Sequence, residues 1–165
     1  MPIGKDELLV YLEKEGLKTT TVDHPPFATV ADSQALRGQI EGGHTKNLFL
    51  KDKKSRHFLV SVEEDATVDL KAIHQLIGAQ GRVSFGNAEA MMALLGVLPG
   101  AVTLFGAIND QDRQVTVVID VALMEHEVIN AHPLVNTATT SIGRDDLKRF
   151  LVLTGHEPVI LKVAD

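Results

Sequence analysis

KNLFLKDKKSRHFLVSV, residues 46–62, decides how the rest of the chain is read. Two runs rich in Leu, Phe and Val, KNLFLKD and RHFLVSV, alternate along their length and flank a charged break at Lys53–Ser55. Period-two patterning with a polar turn between is the signature of an antiparallel hairpin. Working outward, TTTVDH (19–24) reads as a short strand stopped by Pro25 and Pro26, and Leu8, Leu9 and Leu12 put a helix over 4–15 with Gly16 as its stop. TVADSQALRG (29–38) reads as a helix closed by Gly38.

On the C-terminal side, TVDLKAIHQLIG (67–78) offers Thr67 or Asp69 as a cap before a helical face, and GRVSFG (81–86) is a short strand. NAEAMMALLG (87–96) begins on an Asn cap and ends on a glycine, so it is a helix. QVTVVIDV (114–121) is the plainest strand in the chain. VINAH (128–132) and TATTSI (137–142) are two more, joined through PLVN. GRDDLKRFLVLTG (143–155) is a helix and EPVILKV (157–163) a closing strand. Helices and strands interleave while several strands are joined by short turns. The expected fold is therefore α+β: a mixed, largely antiparallel central sheet with flanking helices. With 165 residues, 44% apolar, and no repeat or linker, residues 1–165 are expected to form one domain.

The chain has no cysteine, which removes disulfides, thiolate catalysis, Cys-based zinc sites and iron–sulfur clusters together. No basic-then-apolar leader and no 18-residue apolar run is present, so no signal peptide or membrane span is expected, and a cytoplasmic location is. The formal charge of −6 argues against a nonspecific coat on duplex DNA. Yet Lys46, Lys51, Lys53, Lys54 and Arg56 fall within eleven residues, either a solvated turn or a polyanion-facing patch.

Several motifs fail. Gly38 and Gly43 begin a phosphate-binding loop, but His44 stands where its lysine belongs, and Lys46 opens a strand instead of a helix. HEVIN (126–130) begins like a zinc-protease helix, but Asn130 replaces the second histidine on a strand-like segment; no metal or other cofactor is expected. No G-x-S-x-G elbow is present. Three segments remain: GGHTKNLFL with a cation, GVLPGAVTLFG (96–106) whose glycines let backbone N–H groups converge, and NAHPLVNTATTSI with His132 at a strand end.

HPPFATV, TKNLFLKDKK, GVLPGAVTLFG and HPLVNTATTSI, in this order and spacing, resemble the aminoacyl-tRNA deacylases of the YbaK/prolyl-tRNA-synthetase-associated family, from about Thr20 to the C-terminus. The nearest group is the freestanding one similar to the editing insertion of bacterial prolyl-tRNA synthetase. The resemblance implies trans-editing: hydrolysis of a wrongly attached small amino acid, most of all alanine, from proline tRNA, without a cofactor. The partner implied is the 3′ acceptor end of that aminoacylated tRNA, with a functional link to prolyl-tRNA synthetase, and neither membrane nor specific duplex DNA.

The resemblance places the family's lysine on Lys46, its glycine loop on Gly100, Ala101, Val102, Thr103 and Leu104, and its histidine on His132. Leu104 stands where the family commonly has proline. On this reading Lys46 anchors the terminal phosphate or ribose, the Gly100 loop faces the ester carbonyl, and His132 polarises water or binds the amino group through a partner. His24 and Phe27 are pocket wall or a Pro-rich turn, Asn47 assists Lys46, and Arg82 reaches the acceptor stem or is plain surface. A non-catalytic aminoacyl- or tRNA-binding module is the main alternative; a DNA-binding regulator lacks a basic recognition helix.

Overall fold

The computed structural model describes residues 2–26, 35 and 39–165. Helix α1 (Lys5–Lys14) is followed by β1 (Thr19–Asp23), β2 (Gly43–Lys51), β3 (His57–Glu63), α2 (Ile73–Ile77), β4 (Ser84–Phe85), α3 (Ala88–Leu95) and a 3-10 helix, Leu104–Asn109. Then come β5 (Val115–Asp120), a 3-10 turn, Leu123–Glu125, β6 (Val128–Ala131), β7 (Ala138–Gly143), α4 (Arg144–Leu153) and β8 (Val159–Leu161). Of the helix read over 29–38 only Ala35 is among the described residues, and Phe27 lies outside them.

Among the described residues, eight strands form one mixed sheet in the order β1-β7-β6-β2-β3-β5-β8, with β4 against β2. Pairs β1–β7, β6–β7, β2–β3 and β2–β4 are antiparallel. Pairs β2–β6, β3–β5 and β5–β8 are parallel. The 46–62 hairpin holds register from Thr45↔Glu63 to Lys51↔His57.

Because neighbouring residues on a strand point to opposite faces, this hairpin feeds two cores. Phe49, Leu59, Val117 and Ile119 face a cluster with α1, α3, the 3-10 helix and α4, through Leu8, Leu12, Leu95, Phe105 and Phe150. Leu50, Phe58, Val60, Val62 and Val118 face a second cluster closed by Ile73, Val163 and Ala164. Burying each such Leu, Ile or Phe side chain is worth roughly 1.5–3 kcal/mol.

Two sequence expectations needed correction. The helix read from Thr67 or Asp69 is only Ile73–Ile77, with Ala72 at its cap. Asp69 instead closes a turn: its carboxylate accepts from Lys71 N–H, and its carbonyl accepts from both Ala72 and Ile73. Residues 104–106, read as the end of a glycine loop, instead open the 3-10 helix Leu104–Asn109, because Leu104 and Phe105 are buried and Thr103 Oγ1 caps Phe105 N–H. Gly106 is required there, since a Cβ would sit 2.9 Å from Leu95 Cβ of α3.

The failed phosphate loop also has a physical reason for its glycine. A Cβ on Gly43 would lie 2.6 Å from the His126 ring, which packs over the strand entry and bonds the Glu63 carboxylate.

Candidate active site

Lys46 sits on β2 opposite Val62, on the face of Leu48, Leu50 and Val60. Its Nζ donates to Ala66 O at 2.6 Å, in the loop after β3, leaving two further N–H donors on a compact cation. Asn47, one residue on, points to the other face. Its Oδ1 accepts from Ser61 Oγ and its Nδ2 donates to Thr45 Oγ1, which in turn donates to Asn130 O at 2.9 Å. Asn130 continues the ladder, accepting from Ser141 Oγ and donating to Glu41 O. Asn47 therefore belongs to a polar seam stitching β3, β2, β6 and β7, on the face of the sheet opposite Lys46.

β2 and β6 pair only at Gly43↔Ile129 and His44↔Asn130. β6 ends at Ala131, so His132 leaves the sheet close to where Thr45 ties the two strands. A three-residue turn around Pro133 follows, closed by Leu134 N–H to His132 O at 2.9 Å. Leu134 holds φ 69°, a left-handed conformation unusual for a buried leucine.

The His132 ring is fixed by Nδ1–H donating to Ala138 O at 2.9 Å, since a carbonyl can only accept. Nε2 is therefore the unprotonated nitrogen of the neutral ring. Burial pushes the His132 pKa below the ordinary histidine value; the Ala138 bond and the nearby Glu64 carboxylate oppose that, and His24 reinforces it. The ring is neutral at pH 7 and presents a base.

His24 lies 6.2 Å from His132, ring centre to ring centre. Its Nδ1 pairs with Pro25 O and its Nε2 with Thr139 Oγ1, both at 2.8 Å, and its backbone N–H donates to Thr137 O. His24 is thus held against β7 beside His132.

Leu98-Pro99-Gly100-Ala101 form a β-turn, closed by Ala101 N–H to Leu98 O at 3.0 Å, with Pro99 second and Gly100 third. Gly100 has φ +92°, the value a type II turn needs at that place. The turn consumes the Ala101 donor. Among the described residues the Gly100 and Val102 N–H groups have no protein acceptor. Ala101 is buried, Val102 packs on the first core, and Thr103 is committed to its 3-10 helix. Leu104, in the family's proline position, anchors that helix in the core, so loop rigidity comes from Pro99 and from burial.

A Cβ on Gly100 would stand 3.6 Å from Asn136 Nδ2. The glycine turn therefore adjoins the 132–138 turn that carries His132. Lys46 connects to this group less directly: Glu64, following β3, donates its N–H to His44 O, and its charge acts on His132. Lys46 Nζ is bound two residues farther along the same loop. Arg82 is exposed at the opposite end of β2, where Lys51 pairs Ser84, and stands apart from His132. Asn136, Thr139 and Glu64 went unread in the sequence; Thr139 and Asn136 lie inside the quoted His132 segment, while Glu64 follows a strand with no distinguishing pattern.

A family profile described as Aminoacyl-tRNA editing domain matches residues 24–150. A zebrafish (Danio rerio) Prolyl-tRNA synthetase associated domain-containing protein 1 is 38% identical over 159 residues, covering 95% of this chain and 86% of the relative. The Prolyl-tRNA editing protein ProX of Acetoanaerobium sticklandii is 30% identical over 154 residues, covering 93% of each. Among solved structures, a protein proposed as a trans-editing enzyme for prolyl tRNA synthetase superposes with TM-score 0.69 at 23% identity, over 96% of both chains, and so shares the fold. The chain belongs to the aminoacyl-tRNA editing domain family.

Proposed function

We propose that this protein hydrolyses the ester of a small amino acid, alanine in the first place, from the 3′ end of proline tRNA. The observation that carries the reading is the meeting of the Pro99–Gly100 turn with the 132–138 turn: the first holds two backbone N–H groups without a protein acceptor among the described residues, and the second a histidine whose Nδ1–H is committed to Ala138 O. The names of the relatives supply the substrate class.

In the proposed reaction, water attacks the ester carbonyl carbon, and its proton passes to His132 Nε2 or is relayed through a hydroxyl of the tRNA to the leaving ribose oxygen. The carbonyl oxygen becomes an oxyanion received by Gly100 and Val102 N–H, an interaction worth roughly 2.7–4 kcal/mol per donor in comparable sites. The C–O bond to the ribose then breaks, and the leaving oxygen takes the proton. Lys46 offers its two remaining N–H donors to the terminal phosphate or ribose. The ester is already activated, so modest assistance suffices.

The need for such an enzyme follows from pocket energetics. A site built for proline rejects a smaller side chain by only roughly 1–3 kcal/mol per absent methylene. A second site too small for proline can remove the error. A deacylation panel of alanine, serine, cysteine and proline esters on proline tRNA tests this: alanine should be released and proline retained. A second reading, a binding module without turnover, draws on the vertebrate relatives, whose names state association and not editing. Binding of alanyl-tRNA without release of alanine would favour it.

A further inference from the structure

The turn between β2 and β3 is built in a way that the proposed reaction does not use. Asp52 is 3% exposed at its base. Its Oδ1 accepts from Lys54 N–H and Arg56 N–H, and its Oδ2 from Gln80 N–H and Arg56 Nε, all at 2.9–3.0 Å. Lys53 N–H donates to Gln80 O, the Lys53 stem covers Gly81, and Arg56 Nη2 donates to Gly78 O. Five residues are therefore locked in one shape, with the only carboxylate of the turn directed inward.

What this shape presents is positive. Lys53, Lys54 and Arg56 are exposed and Lys51 is half-buried, so four of the chain's 16 lysines and arginines stand on six consecutive residues. Lys51, Lys53 and Lys54 have no ion-pair partner among the described residues. The His57 pKa is lowered, first by burial and then by the Lys51 charge. In a protein of net charge −6, a rigid cationic corner fits a polyanion that the remaining surface repels. Lys51 lies five residues along β2 from Lys46, about 17 Å at strand rise and with its side chain on the opposite face, so Lys53, Lys54 and Arg56 of the projecting turn carry the grip.

We propose that the Lys51–Arg56 turn is a docking surface for RNA phosphates, gripping the backbone of the stem whose 3′ end reaches Lys46. This rests on the reading of the chain as acting on aminoacyl-tRNA. It adds a sequence-independent anchor some 17 Å from the chemistry, which would serve affinity and not the choice of amino acid.

The test uses the full chain, a Lys53→Gln/Lys54→Gln double variant, and two non-aminoacylated RNA probes, a hairpin ending in single-stranded CCA and the CCA trinucleotide, beside polyglutamate as an acidic polypeptide. Both substitutions are at exposed positions outside the catalytic machinery. For the hairpin, the slope of log affinity against log salt should fall by about 1.4–1.8 units, at 0.7–0.9 per lost phosphate contact. Trinucleotide binding should not change. An unchanged slope overturns the proposal, as does equal weakening of both probes. If polyglutamate, and not the hairpin, loses affinity, the corner docks an acidic protein and the proposal also falls. No step depends on hydrolysis, so absent deacylation would sink the catalytic reading while this slope remained measurable.

Discussion

Replacing Gly100 separates backbone shape from side-chain crowding. A Cβ there would meet only Asn136 Nδ2, at 3.6 Å, an ordinary contact, so collision contributes little. The cost is the φ of +92°, which an L-residue with a Cβ adopts at roughly 1–2 kcal/mol. Gly100→Ala has two outcomes. If the turn is kept, the melting temperature falls by about 2–8 °C, taking about 2–4 °C per kcal/mol for a chain of this size. If it relaxes to a type I turn, stability recovers but the Pro99–Gly100 peptide flips and the Gly100 N–H turns away. Deacylation should then drop by two orders of magnitude or more, the loss of roughly 2.7–4 kcal/mol for one misaimed donor. Gly100→Asn should retain more activity than Gly100→Ala, because asparagine tolerates left-handed backbone. The assay is single-turnover release of alanine from alanyl-tRNA, read beside thermal unfolding. Full activity in Gly100→Ala with a relaxed turn would remove the loop from the mechanism.

Lys46→Ala should lose turnover with little change in melting temperature, since the half-buried side chain makes a single bond, to Ala66 O; unchanged release of alanine would contradict its role. Because the His132 pKa is lowered, the acid limb of the rate profile should have its midpoint below the usual histidine value near 6.5, and His132→Gln should abolish that limb. Asp52 is pushed up by burial but pulled further down by its bonds from Gln80, Arg56 and Lys54, to about 2. A depressed carboxylate stabilises above its unfolded pKa near 3.9 and loses that contribution as pH falls towards 2; amide exchange at Lys54, Arg56 and Gln80 should quicken across that window. Asp110 is likewise raised by burial but brought below its usual value by His156, Val115 and Gln114, so Asp110→Asn should destabilise by about 1–3 kcal/mol at neutral pH and by less near pH 3.

The hairpin, the Asn87 cap with Gly96 in the left-handed conformation, and the strand at Val115–Asp120 were readable because each depends on local chemistry. So was the Pro99–Gly100 turn, whose dipeptide specifies its type. The opposite facing of Lys46 and Asn47 was also readable, from strand parity alone, yet residue proximity in the chain suggested cooperation. The loss of the Ala101 donor was not: it depends on which carbonyl closes the turn. Nor was Glu64, whose relation to His132 arises because β2 lies between β3 and β6, a long-range pairing that no spacing encodes. The 104–109 helix was hidden by Gly106, chosen for close approach to Leu95 and not for flexibility.

The central claim is hydrolytic editing of an undersized amino acid. Its most direct test is release of labelled amino acid from alanyl- and prolyl-tRNA, both on proline tRNA, under single-turnover conditions with the purified chain. The account predicts rapid loss of alanine, none of proline, and loss of the alanine activity in Lys46→Ala. Comparable hydrolysis of both esters, or of neither, would contradict it.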